Sequence, residues 1–258
     1  MNEFEPVSLQ CAVHGAYMSH PVVLNGKLLI AGLHCTKCAA DEAAAREEKL
    51  IAAAAAEKQA RIAKRMGVAG IPEGFITRTL ENFTAELDGQ KRALLKAKQY
   101  VKAFPQHRDT GYSMLFLGDI GCGKTHLAVA IAQAVMAMGY SALYETASDA
   151  VTRLRDCMRR DSPIGTGALL DMYGAIDLLV LDEFGVQSGT DDVVMHLTNI
   201  IDRRYRNSKP TLFLSNLDNV AFPAYVGERV ADRLRERASA VTFNWPSYRA
   251  KARLSAGF

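Results

Sequence analysis

Gly118-Asp119-Ile120-Gly121-Cys122-Gly123-Lys124-Thr125 meets the pattern G-x-x-x-x-G-K-[ST] at every specified position. Its flanks fit the same reading. The apolar run Ser113-Met114-Leu115-Phe116-Leu117 precedes it as a buried strand, and a helical stretch follows over residues 123–138. Glycines at 118, 121 and 123 let the backbone curl so that its N–H groups point inward, and the helix N-terminus adds partial positive charge. Such a loop cradles the phosphates of a nucleotide. Lys124 is expected to reach the β- and γ-phosphates of ATP and Thr125 to ligate Mg²⁺, with His126 closing the nucleotide-contacting stretch.

Asp177-Leu178-Leu179-Val180-Leu181-Asp182-Glu183 is an apolar strand ending in two acids. Downstream of a phosphate loop this places Asp182 on the Mg²⁺ through water and Glu183 on the attacking water, although an acidic turn capping a strand has the same composition. Thr211-Leu212-Phe213-Leu214-Ser215-Asn216 is a further strand with a polar end. If it lies between the two strands above, Asn216 reaches the γ-phosphate. Ala142–Glu145 and Val241–Phe243 complete the strand candidates, and helical stretches fall near 88–104, 148–160, 190–206 and 228–238. This alternation predicts an α/β domain with a mainly parallel sheet covered on both faces.

The 258 residues exceed the usual single-domain size, so a nucleotide-binding domain with a small appendage is expected. Residues 67–74, Gly-Val-Ala-Gly-Ile-Pro-Glu-Gly, break any helix and read as a linker to a domain over 75–258. Residues 40–66 are rich in Ala, Glu, Lys and Arg, lack Gly and Pro, and pair Glu42 with Arg46 and Glu57 with Arg61 at i,i+4, which predicts a helical arm. No run approaches the ~20 apolar residues of a membrane span, and MNEFEPVSLQ lacks a basic segment followed by an apolar stretch, so a cytoplasmic location is expected. The net charge of +3 is small, but residues 202–258 hold eleven Lys and Arg against five Asp and Glu. That excess suits nucleic acid or nucleotide phosphate as well as a plain solvated face.

Residues 1–39 contain Cys11-x-x-His14 and Cys35-x-x-Cys38, two ligand pairs whose soft and borderline donors suit tetrahedral Zn²⁺. Asn25-Gly26 between Pro21-Val22-Val23 and Leu28-Leu29-Ile30 predicts a hairpin that brings the pairs together. A disulfide or unliganded thiols are the other readings, and His34 could replace one of the four ligands. Cys122 and Cys157 read as core or loop residues.

Leu80-Glu81-Asn82-Phe83, Gly89-Gln90, Ala97-Lys98-Gln99-Tyr100-Val101, the phosphate loop, Asp177–Glu183, Gly227-Glu228-Arg229-Val230-Ala231-Asp232-Arg233-Leu234 and Phe243-Asn244-Trp245-Pro246-Ser247-Tyr248-Arg249 together resemble the DnaC-like loaders of the bacterial replicative helicase. The related IstB-like helper ATPases of transposition share this core and are the nearest competitor. The resemblance implies an AAA+ P-loop NTPase core that self-associates, engages a hexameric replicative DNA helicase and deposits it on single-stranded DNA. It also implies that Arg233, with Arg229 as companion, acts as the arginine finger on a neighbouring subunit's γ-phosphate, and that Arg249 is the second sensor. Arg229, Arg233 and Arg237 recur at i,i+4, which alone is equally the pattern of a solvated basic helix. For single-stranded DNA the resemblance points to the neighbourhood of Arg153, Arg155, Arg159 and Arg160, where stacking aromatics are sparse apart from Tyr173. The zinc pattern departs from the family. Two other functions stay open: a target-DNA-selecting helper that binds a transposase, and a DNA-binding adaptor whose ATP site tunes affinity.

Overall fold

Strands buried on both faces must be apolar throughout, and that is how the central runs of this chain are built. The computed structural model describes residues 5–19, 21–24, 27–30, 35–50, 70–159, 161–185 and 191–248. It divides into two compact units, Met1–Arg61 and Ile62–Phe258.

In the larger unit β5 (Ser113–Gly118), β6 (Ala142–Thr146), β7 (Leu178–Phe184), β8 (Thr211–Ser215) and β9 (Ala238–Phe243) form one sheet in the order β6-β7-β8-β5-β9, every pairing parallel. Alternate residues serve opposite cores. Met114, Phe116, Val180, Leu212 and Leu214 face the layer of α2 (Asp88–Lys102) and α4 (Lys124–Ala137). Leu115, Leu117, Leu179, Leu181 and Phe213 face the layer that contains α5 (Ala147–Asp156), α6 (Thr166–Ala175), α7 (Asp191–Arg206), α8 (Ala221–Val226) and α9 (Glu228–Arg237). Helices on both faces of an all-parallel sheet are the expected α/β architecture.

Several boundaries differ from the sequence expectation for identifiable reasons. The helix expected over 88–104 ends at Lys102, and α3 (Phe104–Thr110) restarts with a proline in its first turn, where a ring lacking an N–H is tolerated. The segment Thr166–Ala175 holds Gly167 and Gly174 and little polar periodicity, yet forms α6 because Leu169 and Tyr173 are buried in the core. β9 starts three residues before Val241, through Ala238-Ser239-Ala240, because its register is set by pairing with β5 rather than by its own apolar content.

Arg204 ties α6 and α7 to the sheet. It is 1% exposed and donates to Thr211 Oγ1 and to the carbonyls of Tyr173, Ile176 and Pro210. Burial pulls its pKa down to about 9, opposed by Tyr100 and Asp177.

The smaller unit holds two antiparallel hairpins, β1 (Val7–Cys11) with β2 (Gly15–Ser19) and β3 (Pro21–Leu24) with β4 (Lys27–Ile30), and a helix, α1, described over residues 36–50. The second hairpin is the one that Asn25-Gly26 predicts. The first has a turn over Ala12–His14, with Gly15 at φ 77. The helix starts at 36 rather than near 40, so Cys38 stands in its first turn. Residues 51–66 of the expected arm, 67–69 of the linker, His20, His34, Arg160 and Arg249 lie outside the described residues. Among the described residues no helix is long and apolar enough to cross a membrane.

Candidate nucleotide site and metal centre

The phosphate loop is shaped by close backbone approaches. Gly118 has φ 133, and a Cβ there would lie 2.2 Å from the Phe243 carbonyl oxygen, so only glycine fits where β5 meets β9. Gly123 has φ 91 and is covered by the Phe83 ring, which a Cβ would meet at 2.8 Å. Lys124, at the start of α4, is 7% exposed and donates to Gly118 O (2.6 Å), Asp119 O (2.7 Å) and Asn216 Oδ1 (2.9 Å). Burial lowers its pKa, while Cys122, Asp182 and Asp119 oppose the shift. Because β8 lies between β7 and β5, Asn216 just beyond β8 meets the condition on which its γ-phosphate role depended.

Asp182 gathers donors from three elements. Its Oδ2 accepts from Thr125 Oγ1 at 2.8 Å and from Tyr144 OH at 2.7 Å, and its Oδ1 accepts the backbone N–H of Glu183 at 2.7 Å. A hydroxyl and a carboxylate converging beside the phosphate loop are the hard oxygen donors that suit Mg²⁺. Glu183 is exposed and has φ 56, an uncommon backbone for a non-glycine residue of the kind that gathers at functional sites. Burial, then Asp182, push the Tyr144 phenol far above its ordinary pKa, so it keeps its proton and donates. Sequence reading missed Tyr144. Its signal is visible only with the register, since Tyr144 pairs with Val180 and stands diagonal to Asp182 on one face of the sheet.

A cavity of about 430 Å³ is lined by the loop, Phe75, Asn82, Phe83, Glu183, Asn216 and Tyr248. A wider recess of about 530 Å³ near His107 and Arg237 lies on a different part of this unit and lacks the loop and its acids. His126 bridges the first cavity's wall to the segment before α2. Its Nε2 is 2.9 Å from Thr79 O, its ring meets Phe83 edge-on, and burial lowers its pKa. The segment that follows β9 grips the loop. Cys122 Sγ donates to Trp245 O at 2.8 Å, Trp245 Nε1 donates to Cys122 O at 3.0 Å, and Tyr248 N donates to Gly121 O at 3.0 Å. Asp119 and Ile120 are exposed at the loop's tip.

The arginines of α9 share a face as their spacing predicts. Arg233 and Arg237 both stack on Tyr205, at 4.9 and 4.6 Å from the ring centre. Arg233 forms an ion pair with Asp202, which also takes Arg229 at 3.0 Å. Elsewhere, Arg153 pairs with the buried Glu145 at 2.9 Å, and Arg155 donates through Nη2 (2.6 Å) and Nε (3.0 Å) to Asp192. Arg159 lies 3.9 Å from Asp156, so each of the three described arginines considered for DNA meets a carboxylate of its own chain.

In the smaller unit the ligand atoms of Cys11, His14, Cys35 and Cys38 lie within 4.8 Å of one another. Cys11 Sγ and Cys38 Sγ are 3.5 Å apart, too far for a disulfide, and His14 Nδ1 is 3.2 Å from Cys38 Sγ. The β1–β2 turn supplies Cys11 and His14, while Cys35 and Cys38 come from the start of α1, where i,i+3 residues are neighbours. His14 Nε2 faces Asp41 at 3.1 Å, the outer carboxylate that metal-binding histidines usually have. The backbone N–H groups of the 11–14 turn hold the Cys11 thiol down at about 6, and bonding to Cys11 pushes Cys38 up to about 11. Three sulfurs and one imidazole nitrogen form a donor set that fits a closed tetrahedral zinc site.

Residues 33–256 match the family described as IstB-like ATP binding protein, a span that includes Cys35 and Cys38 but not Cys11 and His14. The replicative helicase loader DnaC of Escherichia coli K12 is 36% identical over 213 residues, covering 80% of this chain and 84% of that protein. The replicative helicase loader DnaC of Buchnera aphidicola subsp. Schizaphis graminum is 35% identical over 193 residues, with 74% and 77% covered. Among solved structures, one titled as the crystal structure of the DnaC helicase loader matches with a TM-score of 0.61 at 25% identity, covering 67% of this chain and 99% of that one.

Proposed function

Because the chain belongs to the IstB-like ATP-binding proteins and, among them, to the DnaC-type replicative helicase loaders, we propose that it loads a hexameric replicative helicase onto single-stranded DNA. ATP binding and hydrolysis act as the switch between engagement and release. The observation that carries this reading is the identity to the loaders over most of both chains, joined to a phosphate loop, Asp182, Glu183 and Asn216 converging on one cavity.

The residue roles follow from phosphoryl-transfer chemistry. The loop from Gly118 through Thr125 binds the phosphates with its N–H groups, and Lys124 exchanges its carbonyl partners for phosphate oxygens. Thr125 and Asp182 hold Mg²⁺, which neutralises charge developing on the phosphates when bound. Glu183 orients the attacking water, and Asn216, already at Lys124, faces the γ-phosphate. Arg233, oriented by Asp202 and Tyr205 with Arg229 beside it, reaches a neighbouring copy's γ-phosphate when copies associate. Arg249, the residue after Tyr248 in the sequence, serves as second sensor. Cys11, His14, Cys35 and Cys38 bind a structural zinc, and this unit with its helical arm forms the end that recognises the partner. The protein works in the cytoplasm.

Capture on an immobilised replicative helicase, with and without ATP, tests the reading. Stoichiometric, nucleotide-sensitive retention is expected. No retention of the helicase, with retention of a transposase under the same conditions, would favour the transposition helper instead.

A further inference from the structure

Tyr144 stands on β6, 7% exposed, on the face of the sheet that carries Asp182. It does not line the nucleotide cavity; its hydroxyl approaches the Asp182 carboxylate from behind. A carboxylate offers about four lone-pair directions. Here Thr125 and Tyr144 take Oδ2 and the Glu183 N–H takes Oδ1, so three fixed donors hold the group's rotation. Two of these donors belong to the site itself. Thr125 must also turn a lone pair to the metal, and the Glu183 N–H belongs to the residue that handles water. Tyr144 alone of the three has no duty toward nucleotide, metal or water, and its place in a packed core leaves its O–H aimed at one oxygen.

We propose that Tyr144 is a positioning residue for the magnesium site, its O–H fixing the Asp182 carboxylate in the orientation that receives Mg²⁺ together with Thr125. The inference rests on the reading of this cavity as an Mg²⁺-ATP site. Partners of this outer kind are worth roughly 10–100-fold in metal affinity in well-studied metal sites.

Tyr144→Phe removes the O–H and keeps the ring. Binding of a fluorescent ATP analogue is measured in EDTA and across a Mg²⁺ titration, with Mn²⁺ binding followed by electron paramagnetic resonance as a second readout. Nucleotide affinity in EDTA should stay within about twofold of wild type, while the Mg²⁺ concentration that half-saturates the metal-dependent tightening should rise by roughly tenfold. In an Asp182→Asn background the same change should add nothing, because the two residues act through one group. Unchanged Mg²⁺ half-saturation, or an equal loss in EDTA and in Mg²⁺, would overturn the proposal and leave Tyr144 a packing residue. Should Tyr144→Phe fail to fold, Tyr144→Met, apolar and without a donor, is read by the same criteria. A wild-type chain that binds nucleotide with no Mg²⁺ dependence would instead overturn the Mg²⁺-ATP reading, and this inference with it.

Discussion

At the scale of single residues the ATP site is a set of separable duties. Lys124 is the cation of the loop, and a buried ammonium held by two carbonyls and Asn216 cannot be replaced by a neighbour. Lys124→Ala should therefore abolish ATP binding by equilibrium titration, while Glu183→Gln should bind normally and fail to hydrolyse. Arg233→Ala should bind ATP as wild type does and lose partner-stimulated turnover, on the order of 10³-fold for a finger supplied in trans. Mixing Arg233→Ala with Lys124→Ala should restore part of the phosphate release, since the second chain lends its arginine to the first chain's intact site. Full wild-type turnover by Arg233→Ala alone would remove the finger role. The loop, Asp182, Glu183 and Asn216 were readable from sequence because spacing along one chain encodes them. Tyr144, Asp202 and the reciprocal Cys122–Trp245 pair were not, because each depends on which strands and helices become neighbours.

Elements were legible to the extent that their periodicity was local. The three inner strands of the large sheet, β5, β7 and β8, stand out as apolar runs because burial on both faces removes any need for polar alternation. α6 was invisible for the opposite reason, since its two glycines and mixed composition are overridden by packing of Leu169 and Tyr173. What fastens α6 is Arg204, whose guanidinium satisfies three carbonyls and the Thr211 hydroxyl in a site without water access. Arg204→Ala leaves the Tyr173 and Ile176 carbonyls and the Thr211 hydroxyl without that donor, at about 1–3 kcal/mol for each group that cannot relax. The expected loss is about 3 kcal/mol or more in urea unfolding, with an unchanged m value. Arg204→Lys should recover only part of it, because an ammonium cannot reproduce the planar fork. A loss under about 0.5 kcal/mol would show that these bonds are compensated elsewhere.

At the scale of the whole molecule the question is whether the two units carry separable functions. The family match begins at residue 33, so Cys11 and His14 lie outside the shared part while the ATP site lies wholly within it. The sequence showed the four ligands because C-x-x-H and C-x-x-C are local patterns; it did not show that α1 begins in time to place Cys38 in its first turn. Two hairpins and one helix turn are too small a unit to build a sizeable core, and four-ligand zinc sites return much of their binding energy as folding energy. Cys35→Ser with Cys38→Ser should thus unfold the segment through residue 39 and leave nucleotide binding intact, since every residue of the ATP cavity belongs to the other unit. Metal analysis of protein purified without chelator should find about one zinc per chain, lost in the double variant. Because this unit is the end proposed to grip the helicase, the zinc-free variant should bind ATP as wild type does yet fail to be retained on immobilised helicase. Native protein devoid of zinc would refute the site, and undiminished retention of the metal-free variant would move the helicase contact to the ATPase domain.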